Sequence, residues 1–135
     1  MYCLDTNVVI ATTTGRSRQV TTRLDAEITA RQRIFIPAIV VFELRYGAAK
    51  SQRAAENFRR LADFLSFGVS IIAFDDDDAT HAGAIRAHLE RQGTPIGPYD
   101  ILIAAQTRRR GLTLVTANRR EFEQVPGLMV QDWSR

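Results

Sequence analysis

Five oxygen-bearing side chains are spread along the chain at separations that only folding could close: Asp5, Glu43, Asp100, Asn118 and Glu121. Four are carboxylates and one is an amide. Such donors suit hard cations such as Mg²⁺ or Mn²⁺, whereas zinc would draw histidine or cysteine. The chain offers zinc little, because Cys3 is its only cysteine. His81 and His88 lie about two helical turns apart, too far along a helix to chelate as an adjacent pair. If three of the acids converge, their mutual repulsion makes the empty site costly, and a divalent ion is the natural compensation. The chemistry such a site serves best is attack of water on a phosphodiester, with the ion offsetting charge on the phosphoryl and leaving 3′ oxygens. No Ser-His-Asp arrangement, Gly-rich phosphate loop or dinucleotide fingerprint competes with it.

Each candidate also has a purely structural reading. Asp5 can cap a helix over Asn7 to Ile10. Glu43 is flanked by Val40, Val41, Phe42 and Leu44, where a charge is almost never buried without a partner, but one face of that helix could be exposed. Asp100 can be a first-turn acid favoured by the helix dipole. Asn118 and Glu121 are common turn residues.

The elements that must position these groups follow from periodicity and punctuation. Tyr2 to Leu4 reads as a strand with Asp5 at its carboxyl end. Gln19 to Ala30 reads as an amphipathic helix through Val20, Leu24 and Ile28. Ile34 to Ile36 is a buried strand ended by Pro37, and the helix carrying Glu43 then runs to a stop at Gly47. Ala54 to Leu65 is a helix, and Val69 to Phe74 a strand after Gly68. Asp76 or Asp78 can cap a helix from Ala79 to Arg91, closed by Gln92-Gly93. The next helix opens at Tyr99-Asp100, where small Ala104-Ala105 permit close packing, and ends at Gly111. Leu112 to Thr116 is a strand, Arg119 to Glu123 a short helix, and Leu128 to Val130 a last strand. Strands separated by helices predict an α/β fold with a central, mainly parallel sheet, one domain over residues 1–135. In such sheets the ligand crevice lies beyond the carboxyl ends of the strands, which gives Asp5 and the Thr116-Ala117-Asn118 turn a common address.

Composition agrees. The chain has 135 residues, 45% hydrophobic and 24% charged, enough for one core without staples. A single cysteine excludes an internal disulfide framework and fits a reducing cytoplasm. No apolar run approaches a membrane span. The formal charge is +3, and Lys50 is the only lysine among 18 basic residues. Arginine suits phosphate oxygens, though such a bias also follows from codon composition. Arg108-Arg109-Arg110 and Arg119-Arg120 form positive clusters, and Asp75 to Asp78 collects four acids, which predicts opposite poles on one domain.

Four segments in this order carry a resemblance: Leu4-Asp5-Thr6-Asn7, Phe42-Glu43-Leu44-Arg45-Tyr46-Gly47-Ala48, Pro95-Ile96-Gly97-Pro98-Tyr99-Asp100-Ile101-Leu102-Ile103-Ala104-Ala105, and Val115-Thr116-Ala117-Asn118-Arg119-Arg120-Glu121-Phe122. Across nearly the whole chain they resemble the PIN-domain ribonucleases, and among these the VapC toxins of bacterial type II toxin-antitoxin modules. The approach Gln92-Gly93 to Pro98 and the ending Gln131-Asp132-Trp133 are similar to the subgroup that cleaves initiator tRNA in its anticodon loop.

The resemblance implies a PIN-like α/β domain and a Mg²⁺-dependent endoribonuclease, with Mn²⁺ able to substitute. It implies metal ligation by Asp5 and Asp100, with Glu43 completing the acidic core. Many relatives carry an acid at the place of Asn118; here that place holds an amide and Glu121 offers a carboxylate three residues later, so the fourth position falls to either Asn118 or Glu121. Thr6, Asn7 and Thr116 stand beside these groups as substrate or phosphate contacts, with the Thr6 and Thr116 hydroxyls able to orient carboxylates. The implied partners are RNA, including tRNA, and a VapB-type antitoxin, in homodimers and toxin-antitoxin hetero-oligomers that meet operator DNA only through the antitoxin. Two other classes stay open. Asp5-Thr6-Asn7-Val8 faintly resembles the nucleophile motif of haloacid dehalogenase-like phosphatases, with Asn7 in place of the second acid and Lys50 as the only available lysine. A catalytically degenerate PIN fold acting as a binding module is the non-enzyme alternative.

Overall fold

The computed structural model describes residues 1–135. Five short strands, β1 (Tyr2–Leu4), β2 (Ile34–Pro37), β3 (Val69–Ile72), β4 (Thr113–Val115) and β5 (Met129–Gln131), form one sheet in the order β3-β2-β1-β4-β5. Every neighbouring pair is parallel. Seven helices connect and flank them: α1 (Thr6–Thr13), α2 (Arg18–Thr29), α3 (Ala38–Lys50), α4 (Ala54–Leu65), α5 (Asp76–Arg91), α6 (Pro98–Arg109) and the single-turn α7 (Arg119–Phe122). Strand β1 is the middle of the sheet, and its Cys3 and Leu4 are fully buried because helices cover both faces. The core runs from these residues through Ile36, Val40, Ile103, Leu114 and Phe122. No helix is long and apolar enough to cross a membrane.

The chain builds β1, β2 and β3 outward in one direction and then returns to place β4 on the other side of β1. Strand order reverses between β1 and β4, and the carboxyl ends at such a switch point are where α/β sheets bind ligands. Two hydrogen bonds carry the ladder one residue past these ends, Asp5 N–H to Val115 O at 3.0 Å and Thr116 N–H to Gln131 O at 2.9 Å. Asp5 and Thr116 are therefore held by the sheet itself.

Several sequence expectations need correction. Gly47 does not stop α3, which continues to Lys50 and turns at Ser51, whose hydroxyl bonds Ala48 O at 2.7 Å. A glycine ends a helix only where the backbone turns left-handed, and no positive φ occurs at Gly47. Neither Asp76 nor Asp78 caps α5. Asp75 does, and Asp78 completes a reciprocal capping box three residues later. The strand expected to reach Phe74 stops at Ile72. The last two strands sit within or one residue beyond their expected spans.

The opposite charge poles do not exist either. Helix α5 packs on α6 so that the start of one lies beside the end of the other, and the acidic run meets the first arginine run directly. Asp78 is fully buried and receives Arg109 Nε at 2.8 Å and Arg110 Nη1 at 2.7 Å, while Arg109 Nη2 reaches Asp75 at 2.8 Å. Burial alone would raise the Asp78 carboxyl, but the two guanidiniums outweigh it and hold Asp78 well below the usual carboxylate range.

Candidate active site

Asp5 sits at the carboxyl end of β1 and is 6% exposed. It fills its structural and its chemical reading together. One oxygen, Oδ1, accepts the Thr6 backbone N–H at 2.8 Å as the α1 cap, and Oδ2 accepts the Thr116 hydroxyl at 2.8 Å. Burial raises its pKa, partly offset by these two donors.

Glu43 comes from the second turn of α3. It is partly buried, and its Oε1 accepts the Thr6 hydroxyl at 3.0 Å. Thr6 thus joins two acids, through its N–H to Asp5 and its hydroxyl to Glu43. Burial pushes Glu43 upward, the Thr6 bond opposes it, and the negative charge of Asp5 adds to the rise.

Asp100 lies in the first turn of α6, with Pro98 at the helix start. Ala104 and Ala105, fully buried one turn on, let the helix lie close over the sheet. Its pKa is raised to about 6, first by burial and then by the charges of Asp5, Glu121 and Glu43, together with a hydrogen-bonded contact to Glu121. Asp100 therefore feels three other carboxylates here.

The turn after β4 supplies the rest. Thr116 is buried; besides donating to Asp5 it accepts Asn118 N–H at 3.0 Å. The Asn118 side-chain amide donates to Glu121 Oε2 at 2.9 Å. A chain of contacts runs Asp5, Thr116, Asn118, Glu121, Asp100. Asn7, expected beside the cluster, has an exposed side chain. Two exposed aromatics that sequence reading did not single out flank the acids: Phe42, next to Glu43, and Tyr99, next to Asp100, pack edge to face with ring centres 5.5 Å apart. Their positions beside the two acids in sequence were the available signal.

An oxygen-only donor set in which neighbouring carboxylates raise Asp100 and Glu43 suits a hard divalent cation and no softer one. The side chains do not form a finished cage, since no three acids, histidines or cysteines are grouped as a ready metal site. The reason is visible in the bonds just described. Both Asp5 oxygens and one Glu43 oxygen face hydroxyl or amide donors, so a cation would take lone pairs these donors leave free.

Comparison with known proteins places the chain among relatives. Residues 2–128 match the model of the family described as PIN domain. The chain is 41% identical over 133 residues to a tRNA(fMet)-specific endonuclease VapC of Shigella flexneri, with 98% of each chain covered. It superposes on VapBC2 of Rickettsia felis bound to a promoter DNA fragment with a TM-score of 0.91 and 33% identity, covering 98% of each chain. With DNA-bound VapBC of Salmonella typhimurium the TM-score is 0.89 at 39% identity, covering 98% of this chain and 97% of that one.

Proposed function

The chain belongs to the PIN-domain family, and from that premise we propose that it is a metal-dependent endoribonuclease of the VapC kind, the toxin of a toxin-antitoxin pair, cutting tRNA as its named relatives do. The observation that carries this is Asp100, whose carboxyl is raised to about 6 by burial and by three neighbouring acids drawn from three other elements. Acids gathered at a sheet's switch point are costly to leave uncompensated, and a bound cation is the natural compensation.

Asp5, Asp100 and Glu43 are the residues that would hold a divalent ion, with Mg²⁺ the proposed ion and Mn²⁺ its substitute. Such an ion supplies Lewis acidity toward phosphodiester oxygens and makes water a stronger nucleophile. The protein's own residues do the rest. Thr116 and Thr6 fix the Asp5 and Glu43 carboxylates in place. Asn118 orients Glu121. Without the ion, the Asp100 carboxyl, raised to about 6, takes up a proton as pH falls through that value, and binding a cation there requires that proton to leave. The retained acids oppose the degenerate binding-module reading. Asn7, where a phosphatase of the haloacid dehalogenase type needs its second acid, opposes that one.

The antitoxin reading also has a seat. A groove of about 260 Å³ between α1, α3 and α4 is lined by Val9, Ile10, Leu44, Ala48 and Leu61, with Glu43 at its edge. An amphipathic segment laid in it would bring a basic side chain to the carboxylates, neutralising them and excluding the cation. The decisive experiment is end-sequencing of tRNA fragments made by the purified protein with Mg²⁺ and with EDTA. Defined cuts that vanish with EDTA are expected, and intact tRNA under both conditions would refute the enzyme. A pull-down from the native locus should recover a short neighbouring protein that stops the cutting.

A further inference from the structure

The two arginine runs have different fates. Arg108 is occupied by Pro126 O at 3.0 Å and by His81, and Arg109 and Arg110 are tied to Asp75 and Asp78. The second run is not consumed. It lines a groove of about 430 Å³ together with Asn118, Gln124, Asp132 and Arg135. Arg120 is exposed and makes no ion pair. Arg119 and Arg135 are held only by partners on their own segments, Glu123 at 2.8 Å from Arg119 Nε and Asp132 at 3.6 Å from Arg135. Ion pairs between such solvated groups are weak and exchange readily.

This groove adjoins the acidic cluster through one residue. Asn118 lines it, and the same side chain donates to Glu121 at 2.9 Å. A polyanion brought to four carboxylates is repelled, so a substrate's flanking phosphates need a positive seat within a nucleotide or two of the reacting bond. We propose that the groove is that seat, a binding site for the ribose-phosphate backbone of the substrate RNA, with Arg120 as the principal phosphate ligand and Arg119 joining it by exchange from Glu123. A guanidinium fork matches two phosphate oxygens and stays charged at any working pH. The proposal rests on the ribonuclease reading and adds a location for the RNA.

The test measures binding of a fluorescein-labelled RNA stem-loop to the full chain in EDTA, where no cutting occurs, across a series of KCl concentrations. Removing one arginine–phosphate pairing lowers the slope of log affinity against log salt by about 0.7 to 0.9. Arg120→Ala is expected to show about one such step and to bind ~5–10-fold more weakly at low salt. Arg120→Lys should keep most of the slope, and Arg120→Glu should bind more weakly than Arg120→Ala. Arg33→Glu makes the same charge change on an exposed residue at the opposite end of the sheet, before β2, and should leave binding near the parent value. Circular dichroism checks that each variant is folded, and Arg120→Lys gives a reading even if Arg120→Glu is not. Parent-like slope and affinity in Arg120→Ala, or equal weakening in Arg33→Glu and Arg120→Glu, overturn the groove. If the parent cuts RNA while either result holds, the groove alone falls. If the parent neither binds nor cuts RNA, the ribonuclease reading falls with it.

Discussion

The Asn118 amide donates to Glu121 Oε2 at 2.9 Å, so the amide and the acid three residues on form one unit in which Asn118 aims the carboxylate that touches Asp100. Asn118→Ala is expected to slow RNA cleavage by about 10-fold, and Glu121→Ala by about 100-fold. Single-turnover cleavage rates check the ranking. Equal rates for Asn118→Ala and the parent would remove the amide from the site.

Asp5 both caps α1 and faces the cluster, and the two roles separate by substitution. Asp5→Ala loses cleavage and also costs about 1 kcal/mol of stability through the lost cap. Asp5→Asn keeps a cap and loses cleavage alone. Thermal unfolding and cleavage assays on both variants distinguish them, with Asp100→Ala expected to be inactive but folded.

Glu43→Gln preserves size and the bond from Thr6 while removing one charge. It should weaken Mn²⁺ binding and relieve repulsion on Asp100. Calorimetric titration gives the affinity, and a parent-like value would place Glu43 outside the cation site.

Acidity should act in opposite senses at two places. The Asp100 carboxyl is raised to about 6, so divalent affinity should fall as pH drops through 6, while the metal-free fold gains stability there because the repelled charge is neutralised. Asp78 is lowered from 3.8. The stability it confers is complete above that unfolded value and is lost as pH falls toward its folded one. Denaturant melts from pH 7 to 2 in EDTA should pass through a maximum, and a monotonic fall from pH 7 would contradict the Asp100 assignment.

Asp78→Ala removes the buried partner shared by Arg109 and Arg110, leaving Arg109 its pairing with Asp75, and breaks the capping box of α5. A destabilisation of about 3 kcal/mol is expected, read as a lower denaturant midpoint. Cleavage at temperatures where the variant is folded should stay near the parent rate, since this network lies outside the acidic cluster.

What could be read from the chain without coordinates was set by local physics. Apolar periodicity found α2 and α4 because each buries a stripe, apolar runs between turn residues found the strands, and caps and glycine stops marked α1, α5 and α6. The rule that α/β sheets place ligands beyond the carboxyl ends of their strands gave Asp5 and Thr116 a shared address, and the strand order, which left no mark in the sequence, made them neighbours. The fate of Asp75 to Asp78 was not legible, because ion pairing with Arg109 and Arg110 depends on how α5 and α6 dock, which leaves no mark in either segment. Gly47 misled for a related reason. A glycine's freedom permits a stop without requiring one, and the continuation to Lys50 depends on packing. Asn118 and Glu121 looked like alternatives in one dimension and became partners once a helical turn stood between them.

The sheet's central strand is also the first of the five to be synthesised, and Asp5 meets its hydroxyl partner Thr116 from a position 111 residues distant in sequence. A chain leaving the ribosome exposes Asp5 first, then Glu43 and Asp100, while Thr116, Asn118 and Glu121 are still inside or unmade. Long-range pairing of this kind waits for both ends. The acids therefore remain scattered on a growing polypeptide, and the site exists only once β4 and α7 have emerged. Such an RNA-cutting enzyme gains its cutting edge late in its own translation.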